Sequence, residues 1–145
     1  MVLIRTFRNT DLNDVIELSE RTLGENYNPQ LYTTVFQLAP EGFIVSYDHN
    51  QFLGFALAVQ EETELRILML AVDERRQRKG VGKGMITELV SRFLAKGVKT
   101  LTLEVRFGND IAIEFYRKMG FSIKGAIPNY YSTGESAYKM TLQIG

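Results

Sequence analysis

Hydrophobic residues recur along this chain at two different spacings, which predict seven strands and four helices. Short apolar or alternating runs bounded by polar and glycine-containing turns are typical of strands. Such runs occupy residues 2–7, 43–47, 52–59, 65–72, 100–105, 121–127 and 136–144. Residues 67–72 are continuously apolar, so we expect this strand to be buried on both faces at the centre of a sheet.

Apolar residues three and four positions apart predict helices between these strands. The first helix follows Asn9 or Thr10, either of which can cap it, and the second begins at Pro29. The apolar positions of these two helices are Leu12, Val15, Ile16, Leu18 and Leu23, then Leu31, Val35, Phe36 and Leu38. We expect each set to line one face of its helix.

Two more helices lie in the second half of the chain. One ends at Gly97, and the other is capped by Asn109 or Asp110 and ends at Gly120. Their apolar positions are Met85, Ile86, Leu89, Val90, Phe93 and Leu94, then Ile111, Ala112, Phe115, Tyr116 and Met119. The element order, β-α-α-β-β-β-α-β-α-β-β, predicts an α/β fold with a mixed, mostly antiparallel central sheet of about seven strands flanked by about four helices.

Length and composition indicate a single globular domain. The chain has 145 residues, of which 45% are apolar and 23% are charged, as in an average globular protein. No linker, low-complexity segment or repeat divides it. We therefore predict one domain over residues 1–145.

The balance of charge argues against several partners. With 17 basic and 17 acidic residues, we expect neither nucleic acid nor a membrane as a direct partner. No apolar run reaches the roughly 18 residues of a membrane span, and Arg5, Arg8 and Asp11 interrupt the apolar N-terminus. We therefore expect a cytoplasmic protein. An RNA-binding accessory domain would need aromatic residues interleaved with basic ones, whereas most aromatic residues here fall on apolar faces.

The chain has no cysteine, which excludes disulfides, thiolate metal sites and a cysteine nucleophile. A serine–histidine triad would depend on the single histidine, His49. His49 lies in a predicted hairpin turn, where an exposed turn residue is the simplest interpretation. We predict no metal site.

The segment from Gln77 to Gly84 is glycine-rich and basic and lies between the predicted central strand and the third helix. Glycines let the backbone approach an anion closely, and the first amides of a helix are free to bind it. We predict that this loop binds a diphosphate, with charge-assisted contacts from Arg78, Lys79 and Lys83. A solvated basic turn at a helix start is the alternative.

Two common phosphate motifs do not fit this loop. No Gly-Lys-Ser/Thr follows four residues after a first glycine, and Met85 stands where the dinucleotide fingerprint needs its third glycine. The loop instead resembles the Gln/Arg-x-x-Gly-x-Gly/Ala pyrophosphate motif of the GNAT acetyltransferases. The resemblance implies acetyl-CoA (coenzyme A) as the cofactor, bound here by Gln77, Arg78, Lys79, Gly80, Val81, Gly82 and Lys83.

A second stretch resembles the same superfamily, so that the resemblance covers residues 65–121. Residues 103–106, Asn109 and residues 116–121 are similar to the Leu-Glu-Val-Arg strand, Asn cap and Tyr-x-x-x-Gly-Phe helix end of its RimI-type branch. That branch acetylates the α-amino groups of protein N-termini. The resemblance therefore implies a protein or peptide N-terminus as acceptor and the ribosome or a ribosomal protein as a candidate partner.

Glu104 and Tyr116 are the candidate catalytic residues. Glu104 lies between two apolar neighbours on a strand, so a partly buried carboxylate could take the acceptor's proton. A strand glutamate facing solvent is the alternative. By resemblance the phenol of Tyr116 could protonate the leaving thiolate, although spacing alone favours core packing beside Phe115. Asn109 can cap its helix and, by resemblance, also bind the pantetheine arm.

The resemblance also implies backbone contacts at the end of the predicted central strand. Leu70, Ala71 and Val72 match the segment that pairs with the pantetheine arm like an added strand. An amide there, such as that of Leu70, could bind the thioester oxyanion. Ordinary pairing within the sheet is the alternative.

The acceptor loops resemble those of protein N-terminal acetyltransferases. Residues 23–27 are similar to a Leu-Pro-Glu-Asn-Tyr loop, with Gly24 in place of the proline, and residues 135–136 are Glu-Ser where Glu-Asp is common. Glu25 could meet the acceptor ammonium or act as the base. The other candidate acceptor-binding residues are Tyr27, Tyr130 and Tyr131. A helix-linking turn and exposed tyrosines are the alternatives.

Two other functions remain open at this level. The same core would support acetylation of a small amine or a lysine side chain, because related enzymes differ in their acceptor loops. A non-catalytic acyl-CoA-binding regulatory module would also keep the fold, but it would not need Glu104 and Tyr116 together.

Overall fold

The computed structural model describes residues 1–25, 27–76 and 80–145. Within them the chain forms seven strands and four α-helices, in the predicted order. The strands are β1 (Val2–Thr6), β2 (Phe43–Asp48), β3 (Gln51–Glu61), β4 (Glu64–Val72), β5 (Thr100–Arg106), β6 (Ser122–Ile127) and β7 (Ala137–Gln143). The helices are α1 (Leu12–Thr22), α2 (Pro29–Leu38), α3 (Val81–Leu94) and α4 (Asp110–Lys118). No helix in these ranges combines the length and hydrophobicity needed to cross a membrane.

The seven strands form one sheet in the order β1-β2-β3-β4-β5-β7-β6. β4 and β5 run parallel, and the other neighbouring strands are antiparallel. The connection from β4 to β5 contains α3, as a parallel pair requires a crossover. The predicted mixed, mostly antiparallel sheet is confirmed, with β4 at its centre.

β4 contains a β-bulge at Leu68. Ala58 of β3 pairs with Ile67 and the preceding residue, Leu57, pairs with Met69, so Leu68 is passed over. Because successive side chains of a strand point to opposite faces, one extra residue reverses the facing of every residue after it.

The bulge decides which core each side chain of β4 reaches. Leu65 and Ile67 pack in the core formed with α3 and α4, whereas Met69 and Ala71 pack in the core formed with α1 and α2. Leu68 itself is 37% exposed. The expectation that residues 67–72 are buried on both faces is therefore wrong, because every second side chain here is only partly buried or exposed.

The two central strands diverge immediately after this point. Pairing between β4 and β5 stops at Ile67 and Leu103. β4 continues alongside β3, and β5 continues alongside β7. In the part of the chain that the structure describes, the facing edges of residues 68–72 and 104–106 consequently have no strand partner. This opening in the middle of the sheet positions the site.

The predicted helix starts are confirmed in part. Pro29 occupies the first turn of α2, and Asn109 caps α4 by accepting a hydrogen bond from an amide of the first turn at 3.3 Å. Neither Asn9 nor Thr10 caps α1, because both lie in a short 3₁₀ turn that ends at Asp11.

Three apolar helix faces are narrower than expected. Leu38 of α2 is 80% exposed, Leu94 of α3 is 51% exposed and Ile111 of α4 is 87% exposed. The buried position of α2 is occupied by Tyr32, whose hydroxyl donates a hydrogen bond to Ser19 of α1 at 2.7 Å. Helical spacing alone does not show which residue lies at the centre of the buried face.

A buried ion pair joins β1 to the start of α1. Asp11 is 2% exposed and accepts hydrogen bonds from Arg5 at 2.8 and 3.0 Å, from the Tyr47 hydroxyl at 2.7 Å and from the Arg8 amide at 2.8 Å. Burial alone would raise the pKa of Asp11, but these hydrogen bonds lower it below its usual value. The ionised carboxylate therefore stabilises the folded chain.

We predict that Asp11→Asn lowers the free energy of unfolding by about 3 kcal/mol, because Arg5 loses its buried counter-charge. Since the pKa of Asp11 is lower in the folded chain, this stabilisation is present at neutral pH and is lost as pH falls below about 3.9 through the folded-state value. Urea unfolding should show a smaller difference from wild type at pH 3 than at pH 7. Glu20→Gln, at an exposed position of α1, is the control, and an equal loss there would contradict the prediction.

Candidate active site

The opening between β4 and β5 is a cleft lined by five parts of the chain. They are the α1–α2 connection, the bulge of β4, the end of β5, the first turns of α4 and the β6–β7 connection. The helix α4 lies on one side of the sheet, and the two connections lie on the other. A ligand in the cleft would therefore meet groups from both faces.

Glu104 lies in the cleft with its carboxylate held in place. Its neighbours Leu103 and Val105 are buried on the α3–α4 side, so strand alternation directs Glu104 to the other face. The Glu104 side chain is 10% exposed. Its Oε1 accepts hydrogen bonds from Arg66 Nη2 at 2.6 Å, from Arg66 Nε at 3.2 Å and from the Tyr130 hydroxyl at 3.0 Å. The carboxylate is thus both partly buried and ion-paired.

Arg66 is a site residue that the sequence patterns do not identify. It pairs in register with Thr102 of β5, two residues before Glu104, and therefore faces the same side of the sheet. Burial alone would lower the pKa of Arg66, but the hydrogen bond to Glu104 and the charge of that carboxylate raise it. The buried neighbours Leu65 and Ile67 show which face of the sheet Arg66 lies on. Only the parallel pairing of β4 with β5 shows that its partner is Glu104.

Tyr116 lines the cleft from the α4 side. It is 9% exposed, and its ring packs edge-on against Phe115 and Phe121, with centroids 5.1 and 5.5 Å away. Burial raises the pKa of its phenol, which therefore stays protonated at neutral pH. Tyr116 therefore packs in the core beside Phe115 and also presents its side chain to the cleft.

The residues predicted to bind a cofactor are distributed around this opening. Leu70 and Asn109 line the cleft, and Asn109 also caps α4. Ala71 and Val72 continue the uncovered edge of β4. Three further residues lie outside the described part of the chain: Gln77, Arg78 and Lys79.

The described end of the glycine-rich loop forms the start of α3. Gly80 precedes the helix with a φ of 89°, a left-handed conformation that glycine adopts readily. Val81 and Gly82 are buried, and Lys83 is exposed. A Cβ atom on Gly82 would lie 3.0 Å from Cζ of Phe115 in α4. Helix packing therefore favours a small residue at position 82 independently of any bound anion.

Three predicted tyrosines line the opposite side of the cleft. They are Tyr27, Tyr130 and Tyr131. The rings of Tyr130 and Tyr131 meet edge to face with centroids 5.0 Å apart. Burial raises the pKa of Tyr27 and raises that of Tyr131 to about 12. At neutral pH this wall consequently presents uncharged hydroxyl groups.

Glu25 connects two loops and is not among the residues that line the cleft. Its Oε1 accepts hydrogen bonds from the Ser132 amide at 3.1 Å and from the Ser132 hydroxyl at 2.9 Å. It also lies 3.7 Å from Nη2 of Arg106. These contacts hold the α1–α2 connection against the β6–β7 connection, and the predicted contact of Glu25 with an ammonium group stays a prediction.

Arg106 ties the end of β5 to both loops. Its guanidinium pairs with Glu135, donates to the Leu23 carbonyl at 3.4 Å and lies over the Tyr131 ring at 3.9 Å from the centroid. Sequence reasoning assigns no role to this arginine, because its partners are distant in the chain.

The same contacts account for Gly24. Its φ is 69°, whereas the ring of a proline holds φ near −65°. A Cβ atom on residue 24 would lie 3.3 Å from Nη2 of Arg106. The proline expected at this position would therefore not fit the loop conformation.

Known proteins are similar to this chain in sequence and in fold. Residues 12–121 match the family described as the Acetyltransferase (GNAT) family. The chain is 33% identical over 129 residues to the ribosomal protein bS18-alanine N-acetyltransferase of Escherichia coli K12, covering 87% of this chain and 80% of that protein. It is 26% identical over 147 residues to N-alpha-acetyltransferase 30 of Schizosaccharomyces pombe, covering 98% of each.

A solved structure extends this similarity to the whole architecture. The crystal structure of Ard1 from Thermoplasma volcanium superposes with a TM-score of 0.94 at 36% sequence identity. The match covers 99% of this chain and 98% of that one.

We predict that Arg106→Leu loosens both loops, because it removes contacts to each of them. The amides of Tyr131 and Ser132 are hydrogen-bonded to Glu135 and Glu25, and their hydrogen exchange should become at least about tenfold faster. Exchange within the β5–β7 ladder should stay unchanged. Arg117→Leu removes an exposed arginine of α4 and is the control. Unchanged loop exchange in the Arg106 variant would show that Glu25 holds the loops without it.

Proposed function

Because the chain belongs to the Acetyltransferase (GNAT) family, we propose that it transfers an acetyl group from acetyl-CoA to the free α-amino group of a protein or peptide N-terminus. Acetyl-CoA-dependent N-acetyl transfer follows from the family, and the proposal concerns the acceptor and the residues that act on it. One relative is named as an N-acetyltransferase that acts on an alanine of ribosomal protein bS18, and another is named as an N-alpha-acetyltransferase. Both names support an N-terminal acceptor, and the first supports a ribosomal protein as the acceptor. The proposal places this activity in the cytoplasm.

The observation that carries the proposal is the opening in the sheet, which Glu104 and Tyr116 line from opposite faces. Acetyl transfer to an amine needs a group that takes a proton from the acceptor nitrogen and a group that stabilises the departing thiolate. The cleft offers a carboxylate for the first task and a phenol for the second. We assign Glu104 as the base and Tyr116 as the acid.

Glu104 receives the amine proton, directly or through water, on Oε2. Its Oε1 already accepts three hydrogen bonds from Arg66 and Tyr130, although a carboxylate oxygen offers about two lone pairs. The second oxygen therefore remains for the acceptor. Tyr130 cannot replace Glu104 as base, because its hydroxyl proton is directed to Glu104 and burial raises its pKa.

Tyr116 acts on the leaving group. A thiol has a pKa of about 8.5, and burial raises the pKa of Tyr116 above that of an ordinary phenol. The phenol therefore keeps its proton until it meets the thiolate, to which it donates a hydrogen bond. Complete proton transfer is uphill, so most of the stabilisation comes from this charge-assisted hydrogen bond.

The uncovered edge of β4 and the start of α3 fit the cofactor. An extended amide chain can pair with a free strand edge, and a pyrophosphate can bind at the first amides of a helix. Bound acetyl-CoA supplies the thioester carbonyl carbon that the amine attacks. We assign Leu70, Ala71, Val72 and Asn109 to the pantetheine arm, with the Leu70 amide as oxyanion donor, and Gln77, Arg78, Lys79, Gly80, Val81, Gly82 and Lys83 to the pyrophosphate.

The acceptor peptide enters between the two loops on the other face. Tyr27, Tyr130 and Tyr131 form the wall of this entrance, and their hydroxyl groups can bond the first peptide groups. Glu25 shapes the entrance through Ser132; we do not assign it to the ammonium.

The acceptor is tested with short peptides that carry free or blocked α-amino groups, with free lysine and polyamines alongside. We predict that acetyl transfer, measured by mass spectrometry, occurs on free N-termini and not on the blocked peptides. Transfer only to small amines or lysine would replace the proposed acceptor. Binding of acetyl-CoA without transfer would indicate a regulatory module instead.

We predict that Tyr116→Phe lowers kcat about 100-fold, because the departing thiolate loses its hydrogen-bond donor. The dissociation constant for acetyl-CoA, measured by calorimetry, should change less than about twofold, since the ring and its packing remain. Tyr138→Phe is the matched control: this residue stacks on Phe107 at 4.0 Å and does not line the cleft. A wild-type kcat in the Tyr116 variant would remove the assignment.

A further inference from the structure

Arg66 compensates the charge of Glu104 on the acceptor side of the cleft. Its Nη2 lies 2.6 Å from Glu104 Oε1 and 3.0 Å from the Tyr130 hydroxyl. The arginine side chain is 39% exposed, whereas the glutamate is 10% exposed. A pair of opposite charges at this distance, mostly removed from water, presents little net charge to a ligand.

The other charged side chain that lines the described part of the cleft is also compensated. Arg106 pairs with Glu135 and lies 3.7 Å from Glu25. In the described residues, no carboxylate of the cleft lining is therefore left without a cationic partner. An acceptor that enters with a positive charge finds no free counter-ion there.

Further charges lie in a small furrow on the other side of Glu104. Glu61, Glu64 and Lys139 line it together with Arg66. Lys139 pairs in register with Glu104 across β5 and β7, and Glu64 accepts a hydrogen bond from Thr102 at 3.1 Å. Glu61, Glu64 and Lys139 are not among the residues that line the cleft.

We propose that Arg66 is a specificity-determining residue that makes the acceptor site favour α-amino groups over lysine side chains. By compensating Glu104, it removes the unpaired carboxylate that would hold an ammonium ion. The inference rests on the proposed function, because it assigns Glu104 to the acceptor amine.

The two kinds of amine differ in how often they lack a proton. In solution the α-amino group titrates near pH 7.7–8.0 and the lysine side chain near 10.4. At pH 7.5 about a third of α-amino groups are neutral, but only about one lysine in a thousand. An ammonium ion that enters a charge-compensated cleft loses hydration without gaining a free counter-ion, whereas a neutral amine does not incur this penalty. The cleft therefore selects acceptors by their basicity.

Removing the guanidinium reverses this selection. In Arg66→Gln, the hydrogen bond from Tyr130 remains at Glu104 Oε1, but the ion pair is lost. An arriving ammonium group then takes the place of the guanidinium beside the carboxylate. Lysine acceptors gain most from this exchange, because almost all of them arrive protonated.

The test compares kcat/KM at pH 7.5 for two peptides of otherwise identical sequence. One has a free α-amino group and no lysine, and the other has a blocked N-terminus and a single lysine. We expect the ratio of α-amino to lysine acetylation to fall about tenfold in Arg66→Gln, the size of one hydrogen bond to a charged group. Thermal unfolding checks that the variant is folded, and Arg66→Met replaces it if it is not.

Two controls separate charge from shape. Arg66→Lys keeps the cation without the paired hydrogen bonds, so the ratio should stay near the wild-type value. Lys139→Met removes a nearby cation that makes none of the hydrogen bonds to Glu104, and its ratio should also stay unchanged. An unchanged ratio in Arg66→Gln, or an equal fall in Lys139→Met, would overturn the inference.

Failure of the proposed function would look different. The wild-type chain would then acetylate the lysine peptide preferentially, or neither peptide. In either case, binding of n-butylammonium, followed by NMR shifts, tests the inference without catalysis. Arg66→Gln should bind this cation about tenfold more tightly than wild type, and equal affinities would overturn the role of Arg66.

Discussion

The β-bulge at Leu68 is the feature on which the site depends. One extra residue in β4 coincides with the end of its pairing to β5 at Ile67 and Leu103, and it sends the following side chains to the other core. If the two parallel strands stayed in register, backbone hydrogen bonds would fill the place where the cleft lies. The most central strand of the sheet thus keeps part of its edge available for a ligand.

The ion pairs around the cleft orient its side chains more than they add to the stability of the folded chain. Exposed ion pairs contribute little to folding. Glu104 of β5, however, is fixed by Arg66 of β4 and by Tyr130 of the β6–β7 connection. Arg106 likewise connects β5 to residues on both acceptor loops. The end of β5 therefore helps to set the geometry of both loops.

The sequence predicts the features of this structure that depend on local spacing. The order of strands and helices and the placement of Glu104 opposite its apolar neighbours follow from periods of two or 3.6 residues. The cap at Asn109 follows from the type of residue at the helix start. The bulge does not, because a continuously apolar run gives no sign of a change in register. The role of Arg66 does not follow from local spacing either, because its partner depends on how β4 aligns with a strand about 35 residues later.

The acceptor loops show a second limit of local patterns. Sequence patterns offer Glu25 as a ligand of the acceptor amine, but they do not show that its Oε1 accepts hydrogen bonds from Ser132, more than a hundred residues away. The exposure of Leu38 and Ile111 depends in a similar way on which neighbours pack against each helix. The contacts of Gln77, Arg78 and Lys79 stay a prediction, since these residues lie outside the described ranges.

The contact between Gly82 and Phe115 changes how the glycine-rich loop should be interpreted in related chains. Because a Cβ atom at residue 82 would lie 3.0 Å from the ring of Phe115, any side chain there has to displace the ring, with or without a bound cofactor. Folding alone would then favour a small residue at this position after the activity is lost. A small residue at position 82 is therefore weak evidence of catalysis, and only the groups that line the cleft can distinguish an enzyme from an inactive descendant.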